Sequence, residues 1–259
     1  MNGDTRQVVW HIDPATPQAE SDAKRAQALA IPVASSLPEV GFFITRDAQS
    51  LVIHHAQASA GDTGIRCVLA DPAELDKRRA GGRQSPMARA FGLHRHPPMR
   101  VLDTTAGLGR DAATLATLGC TVMPVERQPA LYALLADASE RIEADDAAPP
   151  EWWPNWVLPV HAEAGQWLTT RTDAGDFDAI YIDPMFASPR RKSQPQKALA
   201  WLAEIAGTDE DAGALLAVAR QHALRRVVVK QHARAEPLAP PDLTMSGRAI
   251  RFDIYLTGR

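Results

Sequence analysis

The sequence predicts an α/β fold: a mostly parallel, open sheet covered by helices, with a small α+β domain in front of it. Three observations carry that prediction. From residue 99 onward, short apolar runs alternate with helical patterns. Within this part, Val101-Leu102-Asp103-Thr104-Thr105-Ala106-Gly107-Leu108-Gly109-Arg110-Asp111 is an apolar run that ends in an acid and turns through two glycines into a helical pattern. Small residues there let the backbone approach a ligand closely, and glycine tolerates a positive φ. Two later apolar runs also end in acids. One is Val122 to Glu126; the other is Phe177 to Asp183, which continues as Pro184-Met185-Phe186.

Residues 1–97 are expected to form the N-terminal α+β domain, and 98–259 the larger one. In the first, apolar stretches at Gln7–Ile12, Glu39–Thr45, Ser50–His54 and Ile65–Leu69 are punctuated by Pro and Gly and read as strands. An Ala-rich stretch around Ala19–Ala30 reads as a helix, and residues 76–92 as a basic helix preceded or interrupted by Gly81-Gly82. Pro97-Pro98 marks the entry to the second domain. There the pattern predicts strands at 99–103, 121–126, 156–160, 177–183 and 225–231. Helices are predicted at 109–118, 128–143, 163–171 and 195–222, the last as one helix or two. Ala249–Leu256 alternates as a strand with no helix after it, which suits an antiparallel addition to the sheet. Residues 144–156, with Trp152-Trp153-Pro154, form a long connection whose tryptophans are a lid or a packed loop, packing being favoured.

A chain of 259 residues can bury a full α/β core. Its 45% hydrophobic and 23% charged residues are ordinary globular values and exclude disordered and fibrous classes. No apolar run reaches membrane-spanning length, and the N-terminus lacks the basic and apolar regions of a signal peptide, so the expected address is the cytoplasm. Cys67 and Cys120 lie in apolar contexts and read as reduced buried thiols; no Cys/His spacing suggests a metal. The net charge of −3 does not advertise nucleic-acid binding. Its distribution does, through three basic clusters. Lys77-Arg78-Arg79, Arg83, Arg89 and His94-Arg95-His96 precede the first core strand; Arg190-Arg191-Lys192 and Lys197 follow Phe186. Arg225-Arg226, Lys230, His232 and Arg234 flank a later strand. Each could be a solvated loop, but together they suit a surface that tracks phosphates.

The cofactor follows from the charges around the glycine turn. Gly107-Leu108-Gly109 is only G-x-G, Ala112 stands where a third glycine would be, and no P-loop G-K-[ST] follows. Asp111, in the first helical turn, suits the helix dipole but repels a phosphate. S-adenosylmethionine (SAM) carries no phosphate and has a cationic ammonium, so Asp103 and Asp111 fit it better than a dinucleotide. Glu126 comes 126 − 103 = 23 residues after Asp103, where an acid can accept from both ribose hydroxyls. Asp183-Pro184-Met185-Phe186 then suits methylation of an exocyclic amine, whose lone pair is delocalised into a base. A carboxylate and a backbone carbonyl can accept the two amino hydrogens, proline fixes the turn, and Phe186 can stack on a flipped base. The plainer alternative is a strand ended by a proline turn, with Phe186 covering the core. With the upstream signature, the reading is a class I SAM-dependent methyltransferase, a Rossmann-like seven-stranded sheet behind the small N-terminal domain.

Asp103-Thr-Thr-Ala-Gly-Leu-Gly-Arg-Asp111, Glu126-Arg127, Tyr181-Ile-Asp-Pro-Met-Phe186, Arg226-Val-Val-Val-Lys230 and Arg251-Phe-Asp-Ile-Tyr255 resemble the RsmJ family, the bacterial methyltransferases of guanine N2 in 16S ribosomal RNA. The resemblance runs from about Gly81 to the C-terminus. It implies SAM contacts at Arg110-Asp111, Glu126-Arg127, Glu163-Ala164 and Asp183, and the small ribosomal subunit as partner. Glu163-Ala164 departs from the Ser-Ser that the family often has, although an acid there can still accept the adenine amino group. Gln231 departs where related chains can carry a basic residue. Two other readings stay open: a SAM-dependent amino-methyltransferase of another RNA, DNA or protein amide, and a SAM-binding RNA chaperone without activity.

Overall fold

The computed structural model describes residues 8–71, 81–145, 148–171, 177–184, 194–207 and 211–258. The first strands belong to a five-stranded sheet: β1 (Val8–His11), β2 (Val33–Ala34), β3 (Phe42–Arg46), β4 (Leu51–His55) and β5 (Ile65–Arg66), in the order β2-β1-β3-β4-β5. Helix α1 (Ala19–Ala28) connects its first two strands.

A seven-stranded sheet follows, made of β6 (Arg100–Asp103), β7 (Thr121–Glu126), β8 (Val160–His161), β9 (Ala179–Ile182), β10 (Arg226–His232), β11 (Leu243–Ser246) and β12 (Ile250–Leu256). Its order is β11-β12-β10-β9-β6-β7-β8, parallel from β10 to β8 and antiparallel at β12 and β11. The helices are α2 (Pro86–Ala90), α3 (Arg110–Thr117), α4 (Pro129–Ala144), α5 (Ala164–Thr170), α6 (Gln194–Ala206) and α7 (Ala212–His222).

The central strands are apolar along their whole length because both faces are covered. Alternation along each strand sends neighbours to opposite cores. Val101, Ala179, Tyr181 and Val228 join one apolar cluster; Leu102, Ile180, Ile182, Val227 and Val229 join the other, with Leu168 of α5 and Leu216 of α7. The first cluster is continuous with the inner face of the five-stranded sheet, through Trp10, Phe42, Ile44, Leu51 and Ile53. One core therefore joins the two sheets.

Charge pins the same junction. Arg46 of β3 donates from Nε and Nη2 to the two oxygens of Asp22 in α1, at 2.7 and 2.8 Å. Its Nη1 lies 2.8 Å from Asp137 Oδ1 of α4. Asp137 also accepts from Arg141 Nε at 2.9 Å and from Leu51 N at 3.3 Å.

Several elements differ from the sequence expectations. The strand expected at 156–160 shrinks to Val160–His161, and Trp156 makes a lone bridge to Val122. Pro154 and Pro159 withhold ladder donors there. The tryptophan connection is packed: Trp152 and Trp156 are buried, and Trp156 Nε1 donates to Ser139 Oγ. Of the basic helix expected at 76–92, residues 76–80 lie outside the described residues, and the remainder is a 3-10 turn at Gly82–Gln84 followed by α2. Gly81 and Gly82 adopt positive φ, and Pro86 can only begin a helix. The pattern at 195–222 is two helices, α6 ending just before Gly207, whose φ is +76°. β11 was not expected at all.

Removing the Asp137 carboxylate leaves Arg46 buried with one partner fewer. Asp137→Ala should cost about 3 kcal/mol of stability in urea denaturation. Arg25→Ala, which breaks a pair with the half-exposed Glu140, should cost under about 1 kcal/mol.

Candidate active site

Three parallel strands deliver the site, because β6, β7 and β9 all end at the same edge of the sheet. β6 ends in Asp103 and β7 in Glu126, and Asp183 follows β9 directly. Beyond β6 the chain turns through Gly107 and Gly109, whose φ values of +54° and +72° lie in the left-handed region that disfavours side chains. A methyl group on Gly107 would meet nothing within 4 Å, whereas one on Gly109 would stand 2.7 Å from Leu135 Cδ1 and 3.0 Å from both Leu69 Cδ2 and Trp156 Cη2. Gly107 therefore keeps the turn open to the cavity, and Gly109 lets it pack on the core.

Glu126, 6% exposed, reaches back to this turn. Its Oε2 accepts from Gly107 N at 2.6 Å and its Oε1 from Gln128 N at 2.7 Å. The turn is also tied by Ala106 N to Val125 O at 3.0 Å.

These residues line a cavity of about 260 Å³, floored by Leu131, Leu202, Ala206, Ala212 and Leu215. Of the residues expected from sequence, it brings together Asp103, Gly107, Arg110, Asp111, Glu126, Arg127, Glu163, Ala164, Asp183 and Pro184. Gly109 supports it from behind. Met185 and Phe186 lie outside the described residues, as do Lys77-Arg78-Arg79 and Arg190-Arg191-Lys192.

The individual carboxylates are occupied differently from the expectation. Glu163 caps α5, accepting from Gly165 N at 2.8 Å and Gln166 N at 2.7 Å, so its first task is local. Arg127 Nη1 pairs with Asp211 at 2.9 Å across the cavity wall. Asp111, expected to answer a ligand ammonium, is bonded within the protein: its Oδ2 accepts from Tyr181 OH at 2.6 Å and from Lys230 Nζ at 2.7 Å. Lys230 Nζ also reaches Asp183 Oδ2 at 2.8 Å. Asp183 N donates to Thr105 Oγ1 at 2.7 Å, stitching the end of β9 to the turn after β6.

Lys230 and Tyr181 are site residues that were not singled out from sequence. The signal exists: Val227-Val228-Val229 is a buried strand whose apolar run ends in Lys230, as the others end in acids. By sequence Lys230 falls with Arg225, Arg226, His232 and Arg234 in an RNA-facing cluster, and the structure divides that cluster. Arg226 begins β10 at the opposite edge and donates to Ala90 O; Lys230 enters the cavity; His232 and Arg234 are exposed beyond it. Arg83 is likewise structural, donating to the carbonyls of Leu93 and His96. Gln231 is buried and accepts from Arg251 Nη2 at 2.8 Å.

Crowded acids shift one another. Burial, first, holds the Asp103 carboxyl well above its ordinary value against the hydrogen bond from Thr105 N, and the charges of Asp111, Asp183 and Glu126 add to it. Burial and the neighbouring Asp111 and Asp183 raise the Tyr181 phenol, which stays a donor. Burial disfavours charge on Lys230, but Asp111 and Asp183 outweigh it and hold the ammonium above its usual range.

Residues 35–257 match the protein family described as "Putative SAM-dependent methyltransferase". A curated protein named ribosomal RNA small subunit methyltransferase J, from Coxiella burnetii, is 40% identical over 179 residues, 68% of each chain. Another of that name, from Halorhodospira halophila, is 42% identical over 192 residues, covering 70% of this chain and 69% of that one. This chain belongs to that methyltransferase J family. It is a SAM-dependent methyltransferase. A solved SAM-dependent methyltransferase from Neisseria gonorrhoeae superposes on 97% of the chain and 96% of its own, with a TM-score of 0.72 and 25% identity. The Rossmann-like seven-stranded sheet of class I methyltransferases is the fold found here. Among the described residues no helix is long and apolar enough to cross a membrane, and no group of three His, Cys, Asp or Glu could hold a metal.

Asp103 gives this methyltransferase a defined dependence on pH. The unfolded chain ionises Asp103 as pH passes about 4, whereas the folded protein holds it protonated to higher pH. A raised acid pKa gives stability that is complete below the unfolded value and lost as pH rises toward the folded one. Asp103→Asn removes that loss. Urea denaturation at pH 4 and pH 7 should show the variant gaining stability relative to the parent at the higher pH.

Proposed function

We propose that the chain methylates the exocyclic N2 amine of a specific guanine in the 16S rRNA of the small ribosomal subunit. The observation that carries this reading is the juxtaposition of Asp183-Pro184 with the Glu126-held glycine turn around one cavity. The donors present suit SAM. Acids predominate over a partly apolar floor, which fits a cationic ligand with an apolar ring system and without phosphate. Asp103, Gly107, Arg110, Asp111, Glu126, Arg127, Glu163 and Ala164 would hold it, with Gly109 shaping the turn and Glu126 directed to the ribose hydroxyls. Bound SAM supplies an electrophilic methyl group.

The remaining work belongs to the chain. The Asp183 carboxylate accepts one amino hydrogen and the Pro184 carbonyl the other, which orients the nitrogen and favours its pyramidal form. Phe186 would offer a stacking face to the base. The relatives' names support ribosomal RNA as the substrate. Exposed Arg89, Arg95 and Arg234 offer phosphate contacts outside the cavity. On this reading residues 1–97 form an RNA-contacting unit, 98–259 the catalytic one, and the enzyme works in the cytoplasm.

Transfer of tritiated methyl groups from SAM to purified 30S subunits lacking the modification is the direct test. Label recovered as N2-methylguanine in 16S rRNA supports the reading. Label on another base or on protein, or none, overturns it.

Two substitutions dissect the roles. Glu126→Ala should weaken SAM binding by roughly 1–3 kcal/mol in calorimetry, the scale of lost charged hydrogen bonds. Unchanged affinity in a folded variant would remove Glu126 from the site. Asp183→Asn keeps the shape without the charge and should lower the single-turnover rate by about 10²-fold or more, with a smaller effect on SAM affinity.

A further inference from the structure

Lys230 sits in β10 where the apolar run stops and the pairing with β9 ends. Val229 pairs with Ile182 across the parallel β9–β10 ladder, so the next residues, Lys230 and Asp183, emerge side by side. The Lys230 ammonium lies 2.8 Å from Asp183 Oδ2 and 2.7 Å from Asp111 Oδ2, and Tyr181 OH holds that same Asp111 oxygen at 2.6 Å. Tyr181 precedes Asp183 by two residues on β9 and is fully buried, its ring 5.7 Å from that of Phe91. The chain Tyr181–Asp111–Lys230–Asp183 is therefore anchored in the core at one end and opens on the cavity at the other.

We propose that Lys230 is a positioning residue for methyl transfer: it fixes the Asp183 carboxylate at the cavity mouth and keeps it ionised, so that Asp183 meets the target amine as an acceptor. This rests on the reading of Asp183 as the group that receives the amine. A lysine is not required at this place in β10, and a largely enclosed lysine is rare unless paired, as Lys230 is with two acids. The surrounding charge explains the need. Asp183 is faced by Asp111 from α3 and Asp103 from β6, with the phenol of Tyr181 on its own strand; Arg110 and Arg127 line the same cavity. The charge of Asp111 favours a proton on Asp183, and a protonated carboxyl would donate to the amine instead of accepting from it. Lys230 opposes it. Held charged by Asp111 and Asp183, it is a donor throughout and neither takes nor gives the proton that the amine loses.

The test compares Lys230→Met, Lys230→Gln and Lys230→Arg with the parent. Single-turnover methylation of unmodified 30S subunits is followed from pH 5.5 to pH 9. In parallel, the Asp carboxyl carbons of the ligand-free protein are titrated by NMR, with Asp183→Asn assigning the signal. Removing the cation should raise the Asp183 midpoint and the acidic limb of the rate profile together, by about one pH unit or more. The rate deficit should be largest at pH 5.5 and shrink as pH rises toward 9, with KM for the subunits within about twofold of the parent's. Lys230→Arg should keep both limb and midpoint near those of the parent. Lys230→Met in the Asp183→Asn background should cost no further rate. Gln, close to Lys in polarity, serves if Met does not fold. An unmoved carboxyl midpoint, or an unmoved limb in a folded Met or Gln variant, overturns the proposal. If the parent itself labels no subunit, the guanine reading fails, and the NMR titration still decides whether Lys230 holds Asp183 ionised.

Discussion

The Glu126 carboxylate accepts from the backbone of Gly107 on one oxygen and of Gln128 on the other, and so fixes two turns at once. One turn leads from β6 into α3, the other from β7 into α4. Both helices begin just beyond the turns that this side chain holds, and the cavity opens beside those turns. Burying a carboxylate is costly unless its oxygens are bonded. Here backbone amides at short range meet that need, so the same contacts that satisfy the acid shape the site.

The acid-ended strands are legible in the sequence because chemistry sits where a buried run stops. Asp103, Glu126 and Asp183 each close an apolar stretch, and parallel pairing brings such closures to one edge. Lys230 obeys the same rule, but its neighbours in sequence, Arg225 and Arg226, share its charge and mask it. Linear proximity misleads here: a seven-residue strand carries its two ends to opposite edges of the sheet. Short elements are the other blind spot. The two-residue β2 and β8 and the edge strand β11 leave too little pattern for a period to register.

Two sheets share one apolar core, and the largely enclosed Arg46 sits between Asp22 and Asp137 at their junction. The arginine fork matches Asp22 in a bidentate manner, which fixes orientation as well as contact. The N-terminal sheet is thereby held against α4, and α4 begins at the turn that Glu126 controls. Sequence reading separated the two parts at Pro97-Pro98 by composition; the packing binds them through helices that composition does not connect.

The packed tryptophans have an optical consequence. Trp156 lies against Gly109, the residue at which the cofactor turn becomes α3, and its ring is stacked with that of Trp153 at 6.1 Å. Three of the chain's six indoles thus sit in one cluster directly behind the glycine turn. A tightening of that turn would change the surroundings of Trp156 directly. The protein carries its own fluorophore for the state of the loop, without a label and without a substrate.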